Sequence, residues 1–200
     1  MKILVTGFGP FDRFLFNPSE VVAKALEEEN HDVISLILPV IFGQSRKVLL
    51  SSLEEHDPDI VISLGLNGTI SHIALEEIAL NISSTEVPDN SGKLVIDEPI
   101  SDGNELALRS SLPLRNIMED LRKNGIPARL SYTAGTYLCN EVFYTLMEWC
   151  LSHDKIGGFV HIPMATEMIA DDPRSYSMPH MSLDMIKKAG RIILADSRIR

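Results

Sequence analysis

Residues 3–38, ILVTGFGPFDRFLFNPSEVVAKALEEENHDVISLIL, set the architecture. Two short apolar runs, Ile3 to Thr6 and Val33 to Leu38, bracket a stretch from Pro18 to Glu29 whose apolar residues return every three to four positions. The runs read as buried strands and the stretch between them as an amphipathic helix. Asn17 followed by Pro18 marks the helix start, a side chain able to cap and then proline at the first helical position.

The same alternation continues along the chain. Ile60 to Leu64, Arg129 to Thr133 and Phe159 to Ile162 read as strands. Gln44 to Glu55, Leu114 to Asn124, Cys139 to Ser152 and Leu183 to Ala195 read as helices, with Gly125 and Pro127 as a stop signal. Strands alternating with helices predict an α/β fold, a three-layer α/β/α sandwich around a mostly parallel, mixed and twisted sheet. The 200 residues are 44% hydrophobic and contain no repeat or long linker, so residues 1–200 read as one catalytic-sized domain. Ala165 to Ser182, rich in Pro, Met, Asp and Ser, matches neither pattern and reads as a loop over a cleft or a contact between subunits.

Charge narrows the function. Eighteen basic side chains against 28 acidic ones give a net charge of -10, which disfavours nucleic acid and anionic membranes as partners. The opening MKILVTGFGPF is too short and too soon interrupted for a signal peptide, and no apolar stretch is long enough to span a bilayer. Two cysteines without a disulfide framework suit a cytoplasmic setting. His31, His56 and His153 lie in polar helix-end contexts, His72 and His180 lack neighbouring ligands, and neither a metal nor a cofactor is expected. Gly7 and Gly9 begin a dinucleotide-type glycine pattern, but Asp12 stands where the third glycine belongs, so a nucleotide-binding domain is the weakest reading.

Chemistry enters with TAGTYLCN, residues 133–140, which carries Cys139 from a β-like segment onto the first turn of a helix. Unpaired N–H groups and partial positive charge at a helix N-terminus favour thiolate over thiol. Cys150, in step with Val142, Phe143 and Leu146, reads instead as a small buried hydrophobe. In Ile73 to Ile82, IALEEIALNI, two acids interrupt an apolar strand-like run. Alternation puts Glu76 on one face with Ala74 and Ile78 and Glu77 on the other with Ile73 and Leu75, so at least one carboxylate looks inward and needs a partner. The competing reading is a helix turn or edge strand with both acids solvated. His161, in GFVHIP at the end of a strand, is either that partner or a core histidine satisfied by backbone. A cysteine, a histidine and a carboxylate are the residue types of thiol catalysis: nucleophile, base, and a group that orients the base.

These motifs resemble the pyroglutamyl peptidase I family of cysteine peptidases, and the resemblance runs nearly end to end. It is carried by VTGFGPFDRFLFNPSE, LPVIFG, DIVISLGL, IALEEIALN, VPDNSGK with DEPI, GIPA, SYTAGTYLCN and GFVHIP. It implies Cys139 as nucleophile, His161 as general base and Glu76 as triad acid. It also implies Phe8, Phe11, Asn17 and Leu66 at the substrate pocket, peptides with N-terminal pyroglutamate as substrates, no cofactor and a homotetramer. The chain departs from the family's pattern at Thr69 and Ile70, where Gly-Arg is usual, at Glu77 and Glu86, where arginines are usual, and at Asp12-Arg13, where Gly-Gly is usual. Lost cationic donors near an oxyanion site would change efficiency or specificity, and the alternative these substitutions suggest is a non-catalytic or specificity-altered paralogue that binds a small ligand in the same cleft.

Overall fold

The chain opens with β1 (Ile3–Phe8), crosses through α1 (Pro18–Glu29) and returns as β2 (Val33–Leu38), parallel to β1 in register from Ile3 beside Val33 to Phe8 beside Leu38. The computed structural model describes residues 1–102 and 105–199. After α2 (Gln44–His56) and β3 (Ile60–Leu66) come β4 (Ile73–Glu76), β5 (Ile78–Leu80), β6 (Ala107–Arg109), α3 (Leu114–Lys123) and β7 (Ala128–Ser131). The chain closes with α4 (Leu138–His153), β8 (Ile156–Ile162), β9 (Met164–Ala165), α5 (Thr166–Asp171), β10 (His180–Met181) and α6 (Leu183–Ser197).

Six strands make the central sheet in the order β2-β1-β3-β8-β4-β7. The first four are parallel; β4 runs against β8 and carries β7 with it, so the sheet is mixed as expected. Because neighbouring strands share a pleat, alternate residues divide cleanly between two cores. Ile3, Val5, Ile60, Ile62, Val160 and Ile162 face α1, α3 and α6, whereas Leu4, Phe8, Val61 and Phe159 face α2 and α4. The three layers predicted from sequence are therefore present.

The start of α1 follows its sequence signals: the Asn17 carbonyl accepts from Ser19 N–H at 3.0 Å, with Pro18 at the first helical position. Two expectations change. Ile73 to Ile82 is not one strand but two, β4 in the central sheet and β5 in a separate ribbon with β6, broken at Glu77. The break has a cause: Glu77 N–H donates to the Ser131 carbonyl at 2.7 Å while the Glu77 carbonyl accepts from Ser110 N–H at 2.9 Å, turning the chain out of the sheet. Residues 165–182 are also structured, with α5, a 3₁₀ turn (Pro173–Ser175) and the short parallel pair β9–β10. These elements are only two to six residues long, too short to show a periodicity.

Candidate active site

β4 and β8 bring the first two candidate residues together. In their antiparallel register Ala74 lies beside His161 and Glu76 beside Phe159, so Glu76 and His161 are diagonal neighbours on one face. The Glu76 carboxylate accepts from His161 Nδ1 at 2.8 Å. Both are buried, at 2% and 4% exposure, so neither acid-solvating alternative survives for Glu76 and the histidine's partner is a carboxylate rather than backbone. With Nδ1 engaged, Nε2 is the ring nitrogen left for Cys139, whose sulfur lies close enough to act on the charge of the imidazole. Burial alone would depress this imidazole, but the Cys139 sulfur and the Glu76 carboxylate outweigh it and raise the group to about 10. The Phe159 ring meets the imidazole edge-on at 5.0 Å and limits its rotation.

Cys139 reaches this pair because of where α4 starts. The helix runs back along β8, with Cys150 against Gly157 near the strand's beginning and Cys139 beside Gly65, which pairs with His161 near its end. Eleven helical residues span about 16 Å and four strand residues about 13 Å, so the two lengths match. Glycine at position 65 leaves the space: a Cβ there would stand 3.0 Å from Cys139 Sγ and 2.6 Å from the Phe159 ring. Glycine inside a strand commonly marks such a close approach. Cys150 is 1% exposed and burial pushes its thiol up to about 12, in keeping with a packing role.

The first turn of α4 is clamped by the next two side chains. Asn140 donates to the carbonyls of Leu80 and Ile82 at 2.8 and 2.9 Å and accepts from Leu80 N–H at 2.9 Å, and Glu141 accepts from Gly43 N–H at 3.1 Å. No side chain caps the helix start. Asn140 and Glu141 N–H both return to the Tyr137 carbonyl, so the N–H groups of Leu138 and Cys139 are the ones without an intrahelical acceptor.

Cys139 also borders an apolar pocket of about 90 Å³, small beside the ~300–1,000 Å³ that holds drug-sized ligands. Phe8, Phe11, Asn17 and Leu66 all line it. Val40, Tyr137 and Leu138 complete the wall and were not anticipated. Tyr137 had a usable signal, an aromatic residue two positions before the cysteine; Val40 had none, because its apolar run resembles any buried strand end. The Tyr137 ring stands edge-on to Phe42 at 5.2 Å and tilts against Phe11 at 5.9 Å, and its hydroxyl donates to the Pro88 carbonyl at 3.2 Å. The Asn17 amide is largely spent on structure: its carbonyl accepts from Ser19 N–H and hydroxyl, and its Nδ2 donates to the Gly9 carbonyl at 3.1 Å. One N–H of that amide remains for a ligand.

The substituted positions have distinct surroundings. Glu77 is buried and paired with Arg109 of β6, so a cation stands next to it although position 77 itself carries the opposite charge. Thr69 closes a local turn on the Asn67 side chain, and Glu86 is exposed. Among the described residues no group of three or more His, Cys, Asp or Glu is placed to hold a metal ion, and no helix is long and apolar enough to cross a membrane.

The chain is similar to known proteins over nearly its whole length. The family model described as pyroglutamyl peptidase matches residues 1–197. A pyrrolidone-carboxylate peptidase of Brachyspira hyodysenteriae is 41% identical over 98% of both chains, and one of Pyrococcus furiosus is 40% identical over 98% of this chain and 99% of its own. A solved variant of the Pyrococcus furiosus pyrrolidone carboxyl peptidase superposes with a TM-score of 0.92 at 39% identity, covering 98% of each chain. Pyroglutamyl peptidase I of Bacillus amyloliquefaciens does so with a TM-score of 0.90 at 38% identity, over 98% of this chain and 96% of its own.

Proposed function

Because the chain belongs to the pyroglutamyl peptidase family, we propose that Cys139, His161 and Glu76 hydrolyse the amide bond that follows an N-terminal pyroglutamyl residue. One observation carries the assignment: the chain of contacts from Glu76 through His161 to Cys139 ends at an apolar pocket of ring size.

His161 draws the thiol proton from Cys139 as general base. The sulfur attacks the pyroglutamyl carbonyl, and the tetrahedral oxyanion is stabilised by the free N–H groups of Leu138 and Cys139. His161 passes its proton to the leaving amine as the C–N bond breaks, which leaves a thioester and a neutral imidazole. That imidazole takes a proton from water as the hydroxide attacks the thioester, and free pyroglutamate departs. Glu76 fixes the histidine's tautomer and offsets the imidazolium charge throughout. The lactam is flat and neutral, so Phe8, Phe11, Leu66 and Tyr137 supply apolar walls and the spare Asn17 N–H meets a ring carbonyl. The family match does not favour the non-catalytic alternative that the substituted positions suggest.

Replacing Cys139 by Ala or Ser is expected to abolish hydrolysis of a pyroglutamyl fluorogenic amide, and Cys150→Ser to leave it largely intact. Turnover by either Cys139 variant would sink the assignment. The same reading includes a cytoplasmic homotetramer, supported by two unpaired cysteines and by large apolar side chains left exposed, among them Ile96 and Leu106. Light scattering that gives a monomer mass would remove the tetramer.

A further inference from the structure

Phe11 walls the pocket from the end of a tight turn. Phe14 N–H donates back to the Phe11 carbonyl at 3.3 Å, and Asp12 at the corner adopts a left-handed backbone with φ 55°, which costs a non-glycine residue some strain. Arg13, the other corner residue, reaches across to the 3₁₀ turn. Its Nε donates to Asp172 Oδ2 at 2.6 Å and a terminal nitrogen donates to Ser175 Oγ at 3.1 Å, while the guanidinium also touches Asp12 and lies 4.9 Å over the Phe14 ring.

The receiving end is built in advance. Asp172 is 14% exposed at its side chain, caps the 3₁₀ turn through Arg174 N–H at 3.2 Å, and accepts from Arg174 Nε at 2.8 Å. Ser175 is fully buried and its hydroxyl donates to Asp172 at 3.1 Å. On the other flank Asn90 donates to the Pro10 carbonyl at 3.0 Å. The wall that carries Phe11 is therefore strung between two anchors, and Arg13 is the one made of charge.

We propose that Arg13 is a positioning residue for substrate binding: its bonds to Asp172 and Ser175 hold the Phe11 turn in place as one wall of the pocket. The proposal rests on the reading of that pocket as the pyroglutamyl site. Partly exposed ion pairs are weak and screened by salt, so the effect on binding is modest and sensitive to ionic strength.

Arg13→Ala is expected to raise KM for a pyroglutamyl amide about two- to fivefold at low salt, with kcat within about twofold of wild type. Asp172→Asn should do the same, the double variant should be no worse than either single one, and Arg13→Lys should recover part of the loss. Molar salt should raise the wild-type KM toward the variant's value and leave the variant nearly unmoved. Hydrogen exchange gives a readout independent of turnover: Arg13→Ala should speed exchange both in residues 11–17 and in residues 172–178. Unchanged exchange in the second segment would overturn the latch, and so would faster exchange with an unaltered KM. A wild-type chain that leaves the pyroglutamyl amide intact would overturn the pocket reading, whereas normal wild-type turnover with no change in Arg13→Ala would overturn only the role of Arg13.

Discussion

His161 concentrates the electrostatics of the site in one ring. Its charge is stabilised by Cys139 and Glu76 against the pull of burial, so it remains protonated well above the ordinary histidine value of 6.5, to about 10. A group raised in the folded state contributes stability that is fully present below its unfolded value and is lost as pH climbs through the folded one. His161 therefore stabilises the fold fully below about pH 6.5, and that contribution disappears between 6.5 and 10. Catalysis should follow the same limb, with kcat/KM falling as pH approaches 10. Glu76→Gln removes a stabilising charge, so the alkaline limb should move to lower pH and kcat should drop by roughly 10²- to 10⁴-fold, as when a triad acid loses its charge. A pH–rate profile and urea midpoints from pH 6 to 10 check both statements; a limb unmoved in Glu76→Gln would show that the carboxylate does not support the ring. Cys139 was legible from sequence because a helix start leaves a local signature; His161, at a strand end, stayed open between carboxylate partner and core histidine until the family resemblance chose its role. Alternation alone only leaned toward Glu76, since Glu77 is also buried and its partner, Arg109, is 32 positions away in the chain.

At the scale of elements, the site depends on how α4 is held at its first turn. Cys139, Asn140 and Glu141 point to three different anchors: the imidazole, β5 and the start of α2. Asn140 makes three hydrogen bonds to the backbone of residues 80–82 and has no exposure, so Asn140→Ala would leave three partly buried backbone groups without their partner. Leaving such groups unpaired costs on the order of 3 kcal/mol in sum. Urea denaturation should show that loss, and kcat should fall with it because the helix that aims Cys139 is released from β5. Full kcat in a destabilised Asn140→Ala would mean that the helix start is held without this residue. The same contact explains why Ile73 to Ile82 misled as one strand. Its apolar period runs on through Glu77, while the break is imposed by Ser131, Ser110 and Asn140, all distant in sequence. The boundaries of α1 and β2 needed no such help, because capping and apolar runs specify them locally.

Across the whole molecule, the sheet separates a face that carries chemistry from one that supports it. Glu76, His161 and Phe8 project toward α2 and α4, whereas α6 closes the opposite face and packs on α1. That division was implicit in the strand–helix alternation, which predicts helices on both faces; which face holds the site could not be read, because it follows from the side of the sheet on which α4 packs. It has a measurable consequence. Leu146 in α4 and Ile193 in α6 are both fully buried, one on each side of the sheet. Truncating either to Ala removes similar apolar volume and should cost about 2–5 kcal/mol of stability. The two variants should differ in function. Leu146 packs where a Gly157 Cβ would stand, two turns below Cys139, so relaxation into its cavity shifts the catalytic helix against β8. Misplacing reacting groups by about 1 Å can cost 10²-fold, and Leu146→Ala should lose at least about tenfold in kcat/KM. Ile193→Ala, assayed at a temperature where it remains folded, should keep kcat/KM within about twofold. Equal losses in the two variants would mean that both cores position the site, and that the sheet transmits strain from α6 to Cys139 rather than isolating it.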